Sequence, residues 1–107
     1  MEDHFIVVFM TAPSEEVGAD IGKTLVEESL VACCNVIPQI RSIYRWEGKV
    51  CDEKEVLCLM KTRRDLFDRL EKRIKALHPY KVPEIIAVKI KDGSREYLNW
   101  IDEMVGR

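Results

Sequence analysis

Apolar and polar positions along the chain alternate between two periods, and the changes of period mark the elements. Phe5 to Met10 is a continuous apolar run, which predicts a buried strand. Thr11-Ala12-Pro13-Ser14 breaks it, and Ser14 is a good N-cap with Glu15 and Glu16 in the positive first turn of a helix. Val17, Ile21 and Leu25 recur every four residues and carry that helix to about Ser29. Ala32 to Trp46 reads as a long strand bent near Pro38. Glu47-Gly48 is a tight hairpin with Gly48 at positive φ, and Lys49 to Lys61 returns as the partner strand. Leu66, Leu70, Ile74 and Leu77 mark a second amphipathic helix. Pro79 and Pro83 fix φ and push His78 and Val82 out of the α region, so His78 closes that helix and Tyr80 sits on a stiff extended link. Glu84 to Ile90 is the fourth strand, stopped by Asp92-Gly93, and Ser94 caps a last helix bearing Tyr97, Leu98, Trp100, Ile101 and Met104.

The order βαββαβ plus a terminal helix is the ferredoxin-like, split βαβ pattern: an α+β sandwich with two helices on one face of a four-stranded antiparallel sheet. Residues 1–107 read as a single domain, with no linker, repeat or low-complexity tract. Two features point beyond a monomer. The strands are apolar on both sides: Phe5, Val7 and Phe9 alternate with Ile6, Val8 and Met10, and Val56, Cys58 and Met60 with Leu57 and Leu59. A sheet with one wet face alternates apolar and polar, so something besides the two helices must cover the second face, and the terminal helix is short for the task. The 32–61 hairpin is also too long. A strand of about fifteen residues at ~3.3 Å each reaches about 50 Å, against a diameter of roughly 34 Å for a compact chain of this length. Its tip, carrying Tyr44 and Trp46, should overhang and pack on another subunit.

Composition narrows the partners. The net charge of −2 argues against nucleic acid as a partner. The basic stretch 61–81 is interleaved with acids at Asp65/Arg69, Asp68/Lys72 and Glu71/Lys75, each i,i+4 with the acid first, which is the pattern of a solvated helix face. No signal peptide and no apolar run of membrane-spanning length is present, so no membrane association is expected and the default location is the cytoplasm. Cys33, Cys34, Cys51 and Cys58 have no C-x-x-C spacing and read as reduced thiols. Cys33 and Cys34 point to opposite faces of their strand.

Several chemistries open to this fold lack their residues. The first loop has neither the glycines nor the arginine of a phosphate cradle, no thiol pair sits there for soft metal, and Val56–Met60 lacks the base-stacking aromatics of an RNA-recognition sheet. No nucleophile–histidine or paired-carboxylate motif stands out, so an enzyme is not expected. His4 at the N-terminus reads as frayed and exposed. What remains is His78-Pro79-Tyr80-Lys81-Val82-Pro83-Glu84, a His–aromatic–carboxylate cluster on a stiffened backbone, which is either a positioned site or an ordinary helix-to-strand connector. Lys61 ends a buried strand, where its ammonium needs a partner; Glu55 or Glu84 could supply one.

Ala32-Cys33-Cys34-Asn35-Val36-Ile37-Pro38, Ser42-Ile43-Tyr44-Arg45-Trp46-Glu47-Gly48-Lys49, Lys61-Thr62 and His78-Pro79-Tyr80-Lys81-Val82-Pro83-Glu84-Ile85, with Thr11-Ala12-Pro13 and Tyr97-Leu98-Asn99-Trp100, together resemble the CutA family of divalent-cation tolerance proteins. The resemblance runs in order through essentially the whole chain. It implies a ferredoxin-like subunit in a PII-like homotrimer with clefts between subunits, and a link to tolerance of copper and other divalent metals. It places Trp46, Glu55, Lys61, His78, Tyr80, Glu84, Tyr97 and Trp100 at the polar and aromatic positions near those clefts. Copper-binding members use a cysteine at the end of the first strand and a His-His pair before the proline. Here Met10, Leu77 and His78 hold those positions, leaving His78 as the metal candidate for copper(II) or another divalent cation. A structural trimeric scaffold without a physiological metal site is the alternative.

Overall fold

The computed structural model describes residues 4–106. Its elements are β1 (Phe5–Ala12), α1 (Glu15–Glu27), β2 (Cys33–Trp46), β3 (Lys49–Arg63), α2 (Phe67–Leu77), β4 (Ile86–Lys89) and α3 (Arg95–Met104), with a single 3₁₀ turn over Arg64–Leu66 leading into α2. The strands form one antiparallel sheet in the order β2-β3-β1-β4. The caps lie where the sequence puts them: Ser14 Oγ accepts from the Val17 N–H and Ser94 Oγ from the Tyr97 N–H. His78 ends α2 with extended backbone, as the proline after it requires.

The hairpin turn has positive φ at both central residues, Glu47 (51°) and Gly48 (79°), the twist that matches a β-ribbon. The expected bend at Pro38 is a bulge: pairing with β3 jumps from Ile37 to Ile40, and Gln39 takes φ 60°. The bulge separates an inner half, which belongs to the sheet, from an outer ribbon that projects away. The molecule is accordingly elongated, 44 × 25 × 23 Å.

The helices cover one face only. Ile6, Val8, Met10 and Ala12 of β1 and Val56, Cys58 and Met60 of β3 pack against Ile21 and Leu25 of α1 and Leu70 and Ile74 of α2. The alternate positions form the opposite face. There α3 covers the Phe5 end through Ile101 and Val105, while Val7, Phe9, Leu57 and Leu59 are only half-buried and Ile86 and Val88 of the edge strand are 55% and 50% exposed. The apolar second face is therefore open over much of its area in the single chain.

Three expectations need correction. β4 is shorter than Glu84–Ile90: Ile86 is the first residue paired with β1, opposite Phe9, and the residues before it, which include Pro83 with no N–H to donate, stay outside the ladder. Asp65 lies in the 3₁₀ turn rather than on the helix and pairs with Arg63 at 3.0 Å. Glu71 does pair with Lys75, at 3.1 Å, and Arg73 holds Glu28 with two 2.8 Å bonds that tie α2 to the end of α1. His4 is not frayed: its Nε2 lies 3.0 Å from Asp102 of α3, and its ring stands edge-on to Phe5. Among the described residues no helix is long and apolar enough to cross a membrane.

Candidate functional site

The outer ribbon of β2 and β3 overhangs the Pro79–Glu84 link, and between them lies an open cleft of about 790 Å³. Strand periodicity supplies its wall. Tyr44 and Trp46 lie two apart on one face of β2, and Glu53 and Glu55 two apart on β3, so the aromatics and carboxylates interleave diagonally across the ribbon. The Tyr44 hydroxyl donates to Glu53 Oε1 at 2.5 Å and the Tyr80 hydroxyl to Glu55 Oε2 at 2.5 Å. Arg41 clamps Asp52 with bonds of 2.8 and 2.7 Å and lines the same cleft.

These bonds fix protonation. The carboxylate of Glu53 pushes the Tyr44 phenol up to about 12. Burial, and then the bond to Glu55 and its charge, push the Tyr80 phenol upward as well. Both tyrosines are donors at neutral pH. Glu55 is only 7% exposed, and Tyr80 gives that buried carboxylate a charge-assisted partner.

His78 supports the link from beneath. It is 7% exposed. Its Nδ1 accepts from the Tyr80 N–H at 3.1 Å, which leaves the proton on Nε2, and Nε2–H donates to the Thr11 carbonyl at 2.7 Å. The ring also stacks at a tilt on Tyr80, with centroids 4.7 Å apart. One imidazole thus joins the end of α2, the end of β1 and the cleft-lining tyrosine. It has no free nitrogen, and a metal could take it only by displacing one of these bonds. Among the described residues no group of three His, Cys, Asp or Glu side chains is arranged to hold a metal ion. His78 with its neighbours in this chain does not fit a resident metal.

The candidate residues divide into two sets. Trp46, Glu55, Tyr80 and Glu84 line the cleft, and His78 braces it. Lys61, Tyr97 and Trp100 lie elsewhere, at the other end of the open sheet face. Lys61 bonds Asn35 Oδ1 rather than Glu55 or Glu84. Six strand residues separate it from Glu55, roughly 20 Å, whereas Asn35 is its diagonal neighbour on β2. The Tyr97 hydroxyl meets Cys33 Sγ at 3.6 Å, opposite Lys61 in register, and its ring packs on Trp100 with centroids 5.5 Å apart. Sequence reasoning missed Arg41 and Thr11 as lining of the cleft, and Glu53 as the partner of Tyr44. The two-residue spacing of Glu53 and Glu55 opposite Tyr44 was the available signal; the Thr11 carbonyl is a backbone atom and left none.

Residues 6–104 match the family described as CutA1 divalent ion tolerance protein. The divalent-cation tolerance protein CutA of Thermus thermophilus is 54% identical over 100 residues, which is 94% of this chain and 97% of that one. A chloroplastic CutA 1 protein of Oryza sativa is 46% identical over 96 residues, 90% of this chain, which spans 54% of that longer protein. The solved structure of the Thermus thermophilus protein superposes with a TM-score of 0.92 at 53% identity, covering 95% of this chain and 99% of that one. The crystal structure of CutA1 from Oryza sativa gives 0.94 at 43% identity, over 96% and 94% of the two chains. The sheet order, the overhanging ribbon and the His-Pro-Tyr link are set in a chain that belongs to the CutA1 divalent ion tolerance family.

Proposed function

We propose that the protein is a non-catalytic cytoplasmic homotrimer that serves divalent-cation tolerance by binding, with the cleft beneath the ribbon as an inter-subunit ligand site. The observation that carries the reading is the open apolar face, Val7, Phe9, Leu57, Leu59, Ile86 and Val88. Leaving such a contiguous surface in water is unfavourable by about 25 cal/mol per Å². The outer ribbon, with Trp46 exposed on one face and Ile43 and Val50 on the other, carries further apolar surface beyond the body of the subunit. A neighbouring copy laid against face and ribbon buries both and closes the cleft. In this reading copper(II) or another divalent cation meets ligands shared between subunits, since His78 is committed within its own chain.

A structural trimeric scaffold is the second reading, favoured by how completely Glu55, Tyr80 and His78 satisfy one another. Sedimentation equilibrium at low micromolar concentration tests the assembly. A mass near three times 12.5 kDa is expected, and a stable monomer overturns both readings. Calorimetric titration of the assembly with Cu(II) and other divalent cations separates the two: saturable heat supports binding, and its absence leaves the scaffold.

A further inference from the structure

Three aromatic side chains line the cleft, Tyr44, Trp46 and Tyr80, and the two phenols have already spent their polar ends. Their hydroxyls go to Glu53 and Glu55, so what both tyrosines still offer a ligand is ring surface. Trp46 stands two residues beyond Tyr44 on the same face of β2, about 7 Å along the strand. Tyr44 and Trp46 are 39% and 43% exposed. Rings left this open along a concave wall are surface for an occupant, and the volume of about 790 Å³ lies within the range of roughly 300–1,000 Å³ typical of small-molecule sites.

The balance of charge in the cleft is negative. Glu47, Glu55 and Glu84 line it. Glu55 is the deep one: Oε2 accepts from Tyr80, while Oε1 has no partner among the described residues. No buried side-chain oxygen among those residues is left unsatisfied, so Oε1 opens on the cleft. Of the two cations, Arg41 is held by Asp52 from the other face of the ribbon, and Lys81 is an exposed side chain of the link. The carboxylates do not converge as a metal's ligands would.

We propose that the cleft binds a small methylated ammonium cation, its head among the rings of Tyr44, Trp46 and Tyr80 and its charge balanced by Glu55. The face of an aromatic ring attracts a cation within roughly 6 Å of its centroid, so a cation seated between Tyr44 and Trp46 reaches both. A metal ion would need several converging oxygens in place of its water. A primary ammonium carries three N–H donors, and deep in the cleft it would find the single open oxygen of Glu55. A methylated ammonium asks for neither: it needs ring surface and one nearby negative charge. The proposal rests on the reading of the cleft as a ligand site, but not on the assembly, because every group named comes from one chain.

The test is a titration of the full-length protein with tetramethylammonium chloride, read by tryptophan fluorescence in a Trp100→Phe background that leaves Trp46 as the reporter, and by calorimetry on the wild type. A saturable change is expected with tetramethylammonium. None is expected with tert-butanol, its neutral counterpart in size, or with sodium chloride at equal ionic strength. Glu55→Gln, which keeps the shape and removes the charge, and Tyr80→Ala should each bind about tenfold more weakly or worse; Glu16→Gln, on α1, should bind as wild type. No saturable change overturns the proposal. So does an equal response to tert-butanol or sodium chloride, or unchanged affinity in Glu55→Gln. If Tyr80→Ala does not fold, Glu55→Gln and the neutral probe still decide. Sedimentation of the same samples keeps the two readings apart: a trimer without binding overturns the cation site alone, and a monomer that binds selectively upholds it while overturning the assembly.

Discussion

Gly22→Ala distinguishes helix propensity from packing, because the two predict opposite signs. Gly22 lies in the middle of α1 and is buried. Alanine is favoured over glycine in a helix interior by about 1 kcal/mol, so propensity alone predicts a more stable protein. The structure puts the new methyl 2.8 Å from Cys34 Sγ and 3.0 Å from Cys34 Cβ. Such a contact must be relieved by moving α1 off the sheet or by turning Cys34, and overpacking of this kind costs typically about 1–3 kcal/mol. The net expectation is a loss of about 1 kcal/mol. Urea unfolding followed by circular dichroism, at one fixed protein concentration so that any association contributes equally, should show the midpoint falling by roughly 0.5 M at a typical slope of about 2 kcal/mol/M. The same substitution made in a Cys34→Ala background loses the sulfur contact, and there its penalty should shrink by about 1 kcal/mol, a coupling expected only for residues in contact. A raised midpoint for Gly22→Ala, or an equal shift in both backgrounds, would refute the close approach of α1 to β2.

Three further outcomes follow from the cleft and the ribbon. Tyr80→Phe keeps the ring but removes the donor to the buried Glu55 carboxylate; a loss of about 1–3 kcal/mol in unfolding free energy is expected, and a loss under 0.5 kcal/mol would mean that water replaces the hydroxyl. Because the Tyr44 and Tyr80 phenols are held above their ordinary value in the folded state, the unfolded chain gives up those protons first; stability should be unaffected below about pH 10 and fall as pH rises beyond it, with a shallower fall in Tyr44→Phe measured by urea midpoints at pH 9 and 11. Trp46→Ala should weaken the proposed assembly more than it disturbs the subunit; sedimentation on dilution reads this, and a mass unchanged from wild type would remove Trp46 as an anchor.

The sequence alone determined the element order, both side-chain helix caps, the tight turn at Glu47-Gly48 and the end of α2 at His78. Each is governed by residues adjacent in the chain: an N-cap oxygen, a glycine at positive φ, a proline that forbids the α region before it. The two-sided apolar strands also read correctly, because period-two patterning reports burial directly. Family likeness was legible for the same reason, as long motifs in fixed order.

Tertiary structure decided which side chains meet. Glu55 or Glu84 could partner Lys61 by the sequence, but register gave it Asn35, and no local rule fixes register between strands more than twenty residues apart. The fold brought the Thr11 carbonyl to Nε2 of His78, a backbone partner that no side-chain pattern announces. His4 looked frayed until α3 returned Asp102 to it. The cysteines showed no motif because Cys34 and Cys58 are far apart in the chain. The register of β2 on β3 makes them diagonal neighbours beneath Gly22 and Gly18 of α1. Spacing along a chain carries backbone conformation, while contacts across a sheet depend on register, and register is set by the burial of the whole face at once.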